Sequence, residues 1–208
     1  MRKLTLLVFC LLFLVGGVPP APSTPTTTAP SHTALSAQEL QGYESAFAFS
    51  SDPFNWNAQA LLTTYDDPKN LDLALFFYNG IGTQTLTDEE ENFIRQSQID
   101  PAYDIIRLDV TEATAVLESC FGITWEETSG VGLDRLLYNE KETCYYLAAN
   151  GVNVLELLDI RSGTRGEDGS VSLTYTHAGS DAPYVVTFFE HPSPEGIRYQ
   201  FVSNVPCN

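Results

Sequence analysis

The chain is poor in basic residues and in histidine. Ten lysines and arginines stand against 27 aspartates and glutamates, which gives a formal net charge of −17 at pH 7, and there are only three histidines. A surface of this sign repels phosphate groups, so we expect neither nucleic acid nor an anionic lipid surface as a partner. Acidic side chains also keep a protein soluble, and we interpret most of them in that way rather than as cation sites.

The motifs of the common enzyme classes are missing as well. The sequence has no Gly-x-Ser-x-Gly elbow, no phosphate-binding glycine-rich loop, no dinucleotide fingerprint and no Cys/His spacing typical of zinc. His32 lies in a segment rich in proline and threonine, His177 falls at the end of a predicted strand, and His191 precedes a proline in a predicted turn. We therefore expect no cofactor and no metal, and we favour a protein without catalysis.

Paired carboxylates are the alternative route to catalysis. Glu126-Glu127, or Glu140 with Glu142, are nominal candidates for a secreted hydrolase of polysaccharide or peptide. With 27 acidic residues such pairs arise by chance, so they carry little specificity. A calcium-dependent module at Asp66-Asp67 or Glu167-Asp168 is a further alternative, although neither pair has the spaced oxygen ligands of an EF-hand loop.

The first 33 residues resemble an export signal followed by a spacer. Met1-Arg2-Lys3 is a cationic start, residues 4–18 are almost wholly apolar, and the residues after them are rich in proline and threonine. We predict a signal peptide or anchor over 1–18, a spacer over 19–33 and a single domain over 34–208. Cleavage before Val18 is favoured over tethering, because ~15 apolar residues are fewer than the ~20 that span a bilayer. The product is then secreted or tethered to the cell envelope, and its only membrane contact is such an anchor.

Three cysteines follow the predicted leader. Export permits a disulfide, and an odd number leaves one thiol unpaired, with three pairings open. Cys120 falls on the apolar face of a predicted helix, where a thiol packs as a small hydrophobe. Cys207 lies in the terminal segment, where a bridge would hold the chain end, so we expect Cys144 to pair with Cys207.

Helical signals dominate the first half of the domain. Ser36 with Glu39, and Thr87 with Glu90, are capping boxes that each predict the start of a helix. Residues 71–78 are apolar on all sides, which predicts a buried segment, and 104–109 resembles a short strand. Asp109 opens another helix that Gly122 ends. We expect two more short helices, over 133–138 and 142–148.

The second half changes to a period of two residues. Apolar and polar side chains alternate over 171–176, which predicts a strand with one solvated face. Further strands are predicted over 154–161, 184–190 and 197–203. Helices followed by consecutive strands predict an α+β fold, in which N-terminal helices pack on a C-terminal four-stranded antiparallel meander. We expect a monomer.

Aromatic side chains supply the predicted binding site. Tyr145 and Tyr146 are adjacent, so their side chains point in different directions and one of them should be exposed. Asn150 and Asn153 follow them, and the four residues form our predicted binding edge for a sugar or a peptide. Further aromatic candidates for such a groove are Trp56 and Trp125.

Loose motifs recur along most of the predicted domain. They are residues 62–68 with Tyr65-Asp66-Asp67-Pro68, then Leu71-Asp72-Leu73, Phe77-Tyr78-Asn79-Gly80, Tyr145-Tyr146 with Asn153, and residues 199–204. In these motifs the chain resembles a family of uncharacterised exported proteins of Gram-positive, Firmicute-type bacteria. The resemblance implies a secreted or envelope location and no established activity. Members carry His-Gly-Asp-Thr-Asn after the paired tyrosines, whereas this chain has Ala-Asn-Gly-Val-Asn, which favours a non-catalytic extracellular domain that binds a ligand or envelope component, or serves as a structural part.

Overall fold

The computed structural model describes residues 32–49, 54–78, 86–97, 104–149 and 158–207. The predicted leader and most of the predicted spacer lie outside these residues, and so do Asn150 and Asn153. Within the described ranges, no helix has the length and apolar character that a membrane crossing requires.

Five α-helices and three single 3-10 turns occupy the described part of the chain up to residue 135. The helices are α1 (Ala37–Ala46), α2 (Trp56–Leu61), α3 (Leu73–Phe77), α4 (Asp88–Gln96) and α5 (Val110–Phe121). The 3-10 turns are Pro68–Asn70, Trp125–Glu127 and Leu133–Arg135.

Eight strands form two antiparallel sheets. The strands are β1 (His32–Ala34), β2 (Asp104–Asp109), β3 (Leu137–Asn139), β4 (Cys144–Ala149), β5 (Leu158–Gly166), β6 (Ser170–His177), β7 (Pro183–Ser193) and β8 (Gly196–Pro206). The large sheet has the order β1-β5-β6-β7-β8 and the small sheet the order β2-β4-β3. The predicted α+β fold is therefore confirmed.

Local capping explains where the longer helices begin and end. Both predicted capping boxes are present, at Ser36 before α1 and at Thr87 before α4. The side chain of Asp109 accepts hydrogen bonds from the backbone N–H groups of Thr111 and Glu112, which starts α5. Gly122 ends α5 at a φ of 70°, in the left-handed region that glycine enters without strain.

The large sheet contains the predicted meander and one strand more. Strands β5 to β8 are consecutive neighbours, and β1 adds a fifth strand by pairing His32 with Gly166 and Ala34 with Thr164. The predicted four-stranded sheet is therefore wrong in its strand number. Strand β1 gives no signal in the sequence, because three residues at the edge of a Pro/Thr-rich segment show no period of two.

The helices cover one face of the large sheet. Side chains of β6 alternate between fully buried and partly exposed from Ser170 to Tyr175, as the sequence pattern predicts, but Thr176, predicted on the solvated face, is buried. Helix α1 contacts β5, while α2 and α5 contact β8. Between them lies an aromatic core in which the ring of Phe47 is 5.4 Å from that of Phe188 and 5.0 Å from that of Tyr199. The apolar segment around α3 is buried as predicted, except that Leu75 is 44% exposed.

The small sheet differs from the sequence prediction. The helix predicted over 142–148 is wrong, because Cys144–Ala149 is the central strand β4 between β2 and β3. A positive φ of 51° at Thr143 turns the chain into this strand. The helix predicted over 133–138 is a single 3-10 turn followed by β3. Helix α4 covers one face of the small sheet and buries Ile94 against Cys144 and Tyr146.

A buried polar cluster joins the end of α2 to the large sheet. The side-chain amide of Asn204 donates hydrogen bonds to the carbonyl oxygens of Leu61 at 3.1 Å and Thr63 at 2.7 Å. The hydroxyl of Tyr175 lies 2.9 Å from the side-chain oxygen of Asn204 and 2.8 Å from the Leu61 carbonyl oxygen. The backbones of Tyr65 and Asn204 exchange two hydrogen bonds of 2.8 Å. We call these contacts the Asn204 cluster; they satisfy carbonyl groups that the helix end would otherwise leave unpaired.

Candidate functional site

A groove of about 440 Å³ lies where α5, β8 and the start of α2 meet, a volume within the range of small-ligand pockets. We call it the Arg198 groove. Its lining residues are Phe54, Asn55, Trp56, Asn57, Ala115, Val116, Ser119, Cys120, Ile197, Arg198 and Tyr199.

Aromatic packing fixes the wall that α2 contributes. The ring of Trp56 lies 4.8 Å from that of Phe54 and 5.4 Å from that of Phe76. The side-chain amide of Asn55 donates to the carbonyl oxygens of Ala46 and Ala48, at 2.9 and 2.8 Å. The loop before α2 is thereby held to the end of α1, and Trp56 is presented in one orientation.

The wall from β8 continues the core face of the large sheet. Ile197, Tyr199 and Phe201 share one face of the strand, because side chains alternate along it. Phe201 is fully buried, Tyr199 is partly buried, and Ile197 is 51% exposed. The groove therefore begins where the strand runs past the helices that cover the core.

Arg198 is a cation without an acidic partner. Of the eight lysines and arginines in the described ranges, six lie within 4.0 Å of a carboxylate, and only Arg198 and Lys69 do not. The side chains of Ser119 and Asn57 also have no hydrogen-bond partner among the described residues. Arg198, Ser119 and Asn57, whose polar groups have no such partner among the described residues, are thus among the residues that line the groove, together with the apolar Phe54, Ala115, Val116 and Ile197.

A second concavity of about 470 Å³ adjoins the groove on the far side of Arg198. We call it the hairpin lobe, since the β7–β8 hairpin forms most of its wall. It shares Ser119, Ile197 and Arg198 with the groove and adds His191, Pro192, Ser193, Glu195 and Gly196. Because Ser119, Ile197 and Arg198 line both, the two concavities form one continuous surface.

Hydrogen bonds fix the proton on His191. Its Nε2 lies 2.8 Å from Oε1 of Gln200, while Nε2 of Gln200 donates to the Phe121 carbonyl oxygen at 3.3 Å. Because Gln200 donates through its nitrogen, its oxygen must accept, so Nε2 of His191 carries the hydrogen and Nδ1 holds the lone pair. The hydroxyl of Ser193 donates to the Gly196 carbonyl oxygen at 2.9 Å and is not bonded to the imidazole. Among the residues that the structure describes, no hydroxyl in the lobe is therefore hydrogen-bonded to the imidazole, as a serine nucleophile would be to its base.

The two predicted tyrosines lie on opposite faces of β4. Tyr146 is fully buried beneath α4, where its hydroxyl donates to Oε1 of Glu90 at 2.8 Å. Tyr145 is partly buried, with its ring 5.3 Å from that of Trp125 and 4.7 Å from that of Tyr138. Neither tyrosine lines the Arg198 groove. Of the aromatic candidates from the sequence, only Trp56 does so.

Glu90 is the most enclosed acid in the described ranges. Burial opposes its charge, but hydrogen bonds from the backbone and hydroxyl of Thr87 and from Tyr146, with the charge of Arg107 at 3.0 Å, outweigh burial and lower its pKa. A shallow pocket of about 350 Å³ beside it contains Glu140 and Glu142. Every described carboxyl group with a shifted pKa has it lowered. A general acid for glycoside hydrolysis needs the opposite shift.

The other predicted acidic pairs close turns. The side chain of Asp67 accepts from the backbone of Lys69, and Asp168 accepts from Ser170. Glu127 accepts from the backbone of Thr124 at the start of a 3-10 turn. No group of three or more His, Cys, Asp and Glu side chains that could hold a metal ion occurs within the described ranges.

The three described thiols are free. Cys144 is fully buried in the small sheet beneath α4, whereas Cys207 is exposed after the end of β8 in the large sheet. The structure therefore does not join the predicted Cys144–Cys207 pair, because Cys144 is enclosed in the small sheet whereas Cys207 lies at the surface beyond β8. Burial raises the pKa of the Cys120 thiol, in the wall of the Arg198 groove, to about 12.

Comparison with known proteins finds no relative: no family model, no curated protein and no solved structure matches the chain.

Proposed function

We propose that this protein is a non-catalytic extracellular binding domain of the bacterial envelope, whose Arg198 groove holds a ligand with an anionic group beside an apolar one. The proposal is carried by Arg198, which lines the groove with Trp56 and Val116 and has no carboxylate within 4.0 Å among the residues that the structure describes. In a chain with a formal charge of −17, most cations have acidic neighbours, and a free guanidinium favours a ligand that brings its own carboxylate.

Both parts of such a ligand are needed for useful affinity. An exposed ion pair contributes only ~0–1 kcal/mol in water. Burying about 100 Å² of apolar surface against Trp56 and Val116 adds about 2.5 kcal/mol. Together these contributions reach about 2.5–3.5 kcal/mol, so a small aromatic carboxylate should bind no more tightly than a dissociation constant of about 3 mM, and larger ligands more tightly.

The extracellular part of the proposal rests on the sequence. A cationic start, an apolar run and a Pro/Thr-rich spacer support export, and the family resemblance supports an envelope location. The test is fractionation of producing cells with mass spectrometry of the N-terminus. We expect the protein in the envelope or the medium. A soluble intracellular product that retains Met1 would overturn the location.

The groove is tested with phenylacetate and two matched compounds, phenylacetamide and acetate, by isothermal titration calorimetry. We expect phenylacetate to bind more tightly than the amide, which lacks the charge, and than acetate, which lacks the ring. Arg198→Gln should weaken phenylacetate binding by up to about fivefold, which corresponds to about 1 kcal/mol. Lys69→Gln is the matched control, because it removes the other unpaired cation and Lys69 does not line the groove. Equal affinity in Arg198→Gln and the unmodified protein would refute the groove as the site.

A further inference from the structure

The hairpin lobe complements the Arg198 groove in charge. Glu195 lines the lobe, and its side-chain carboxylate has no partner among the residues the structure describes. His191 lines the same lobe, and Nδ1 is the acceptor of its neutral imidazole. Arg198 and Glu195 belong to one hairpin, yet they form no ion pair within 4.0 Å. The surface therefore presents an anion receptor and a cation receptor side by side, each free to bind.

We infer that the ligand is a free α-amino acid with an aromatic or branched apolar side chain. This inference rests on the proposed function and specifies the ligand of the same groove. The carboxylate pairs with Arg198, the ammonium group contacts Glu195 and Nδ1 of His191, and the side chain enters the groove against Trp56 and Val116.

The arrangement of the three receptors supports an α-amino acid. Arg198 lines both concavities; the groove adds Trp56 and Val116, and the lobe adds Glu195 and His191. The α-carbon of an amino acid carries its carboxylate, side chain and ammonium group in three directions from one tetrahedral centre. Such a ligand places its carboxylate at the junction and sends one substituent into each concavity.

The charges of the lobe disfavour a simple anion. Glu195 repels a carboxylate that reaches the lobe without a compensating cation. An ammonium group next to that carboxylate turns the repulsion into attraction and leaves the occupied site without excess charge. The facing groups are His191 from β7, Arg198 and Glu195 from the β7–β8 hairpin, and the neutral Ser119 from α5.

The test uses L-phenylalanine with three matched ligands at low salt and pH 7.5, measured by isothermal titration calorimetry. N-acetyl-L-phenylalanine lacks the ammonium charge, L-phenylalaninamide lacks the carboxylate, and L-alanine lacks the apolar ring. We expect phenylalanine to bind up to about fivefold more tightly than its N-acetyl and amide forms, each of which loses one charged contact, and more than about tenfold more tightly than alanine, which loses the apolar contact.

Two variants assign the contacts to residues. Glu195→Gln should abolish the preference for phenylalanine over its N-acetyl form without weakening the N-acetyl form. Arg198→Gln should abolish the preference for phenylalanine over phenylalaninamide. Glu44→Gln is the control, because Glu44 is exposed on α1 and lines neither concavity. Since Glu195 and Arg198 are exposed, we expect the variants to fold, and the urea midpoint checks this.

The outcomes separate this inference from the proposed function. N-acetyl-phenylalanine that binds as tightly as phenylalanine, in an Arg198-dependent manner, would overturn the amino-acid ligand and leave the anion groove in place. The same conclusion follows if phenylacetate binds and phenylalanine does not. If neither phenylacetate nor any amino acid binds, both proposals are refuted.

Discussion

Replacing Asn204 by aspartate tests whether the Asn204 cluster is as dry as its contacts indicate. The substitution keeps the shape of the side chain but exchanges an NH2 group for an oxygen. That oxygen would face the carbonyl oxygens of Leu61 and Thr63, at the 3.1 and 2.7 Å now occupied by hydrogen bonds. Asn204 is 0% exposed, and no described cation contacts it, so an ionised carboxylate there has no compensation.

The magnitude depends on pH. As a neutral acid the new side chain donates to one of the two carbonyls and leaves the other unpaired, which costs about 1–3 kcal/mol. Burial raises the pKa of the new carboxyl group above its unfolded value of ~3.9, by ~3 units for an enclosed group. Because the folded pKa is the higher one, the neutral form stabilises the fold below the unfolded pKa, and that stability is lost as pH rises. The added cost reaches about 4 kcal/mol by pH 7.

The measurement is the free energy of unfolding in urea, for the variant and the unmodified protein, at pH 4 and pH 7. We expect the difference between the two proteins to grow by about 3 kcal/mol between these pH values, because a small part of the cost is already present at pH 4. Asn92→Asp is the matched control, because Asn92 is exposed on α4, and it should change stability by less than about 0.5 kcal/mol. A difference for Asn204→Asp that is the same at both pH values would refute a raised pKa, and with it the dry interior.

Two further predictions concern the small sheet and the thiols. Glu90→Gln leaves Arg107 without its closest carboxylate and should destabilise the protein by about 2–4 kcal/mol at pH 7. Because the folded pKa of Glu90 is lowered, this loss of stability should shrink as pH falls towards 3 in urea titrations. A loss that stays constant with pH would contradict the contacts between Glu90 and Arg107. Cys207 should react at once with a thiol reagent in the native protein, whereas Cys120 and Cys144 should react only after unfolding. A mature chain that shows a single thiol in urea would instead demonstrate a disulfide.

The helix boundaries were predictable because their signals are local. Ser36 with Glu39, Thr87 with Glu90 and Gly122 each act on backbone groups within four residues, so the sequence contains the whole interaction. Alternation along β6 was equally readable, because one face of the strand is buried and the other is not. Capping signals followed by alternating strands are therefore enough to predict the α+β class.

Strand β4 was not predictable in the same way. Its six residues are apolar on both faces, and such a short run suits a helix as well as a strand. Its conformation is decided by β2 and β3, which supply hydrogen bonds from other parts of the chain. The Arg198 groove depends on tertiary structure too: Trp56 stood out in the sequence, but Val116 and Ile197 become its neighbours only on folding. The sequence did contain one signal for Arg198: lysine and arginine are scarce in this chain, so the acidic partner of each of them can be asked for in turn.

The pairing of β1 with β5 and of Tyr65 with Asn204 sets the order in which the chain can fold. His32 meets Gly166, and Tyr65 meets a residue close to the C-terminus. Closing such long loops is slow, whereas the hairpins of β5 to β8 join neighbours. The helices leave the ribosome first but have no sheet to cover until the last strands are made. Their apolar faces stay exposed through that interval, so the newborn chain needs a chaperone most before synthesis ends.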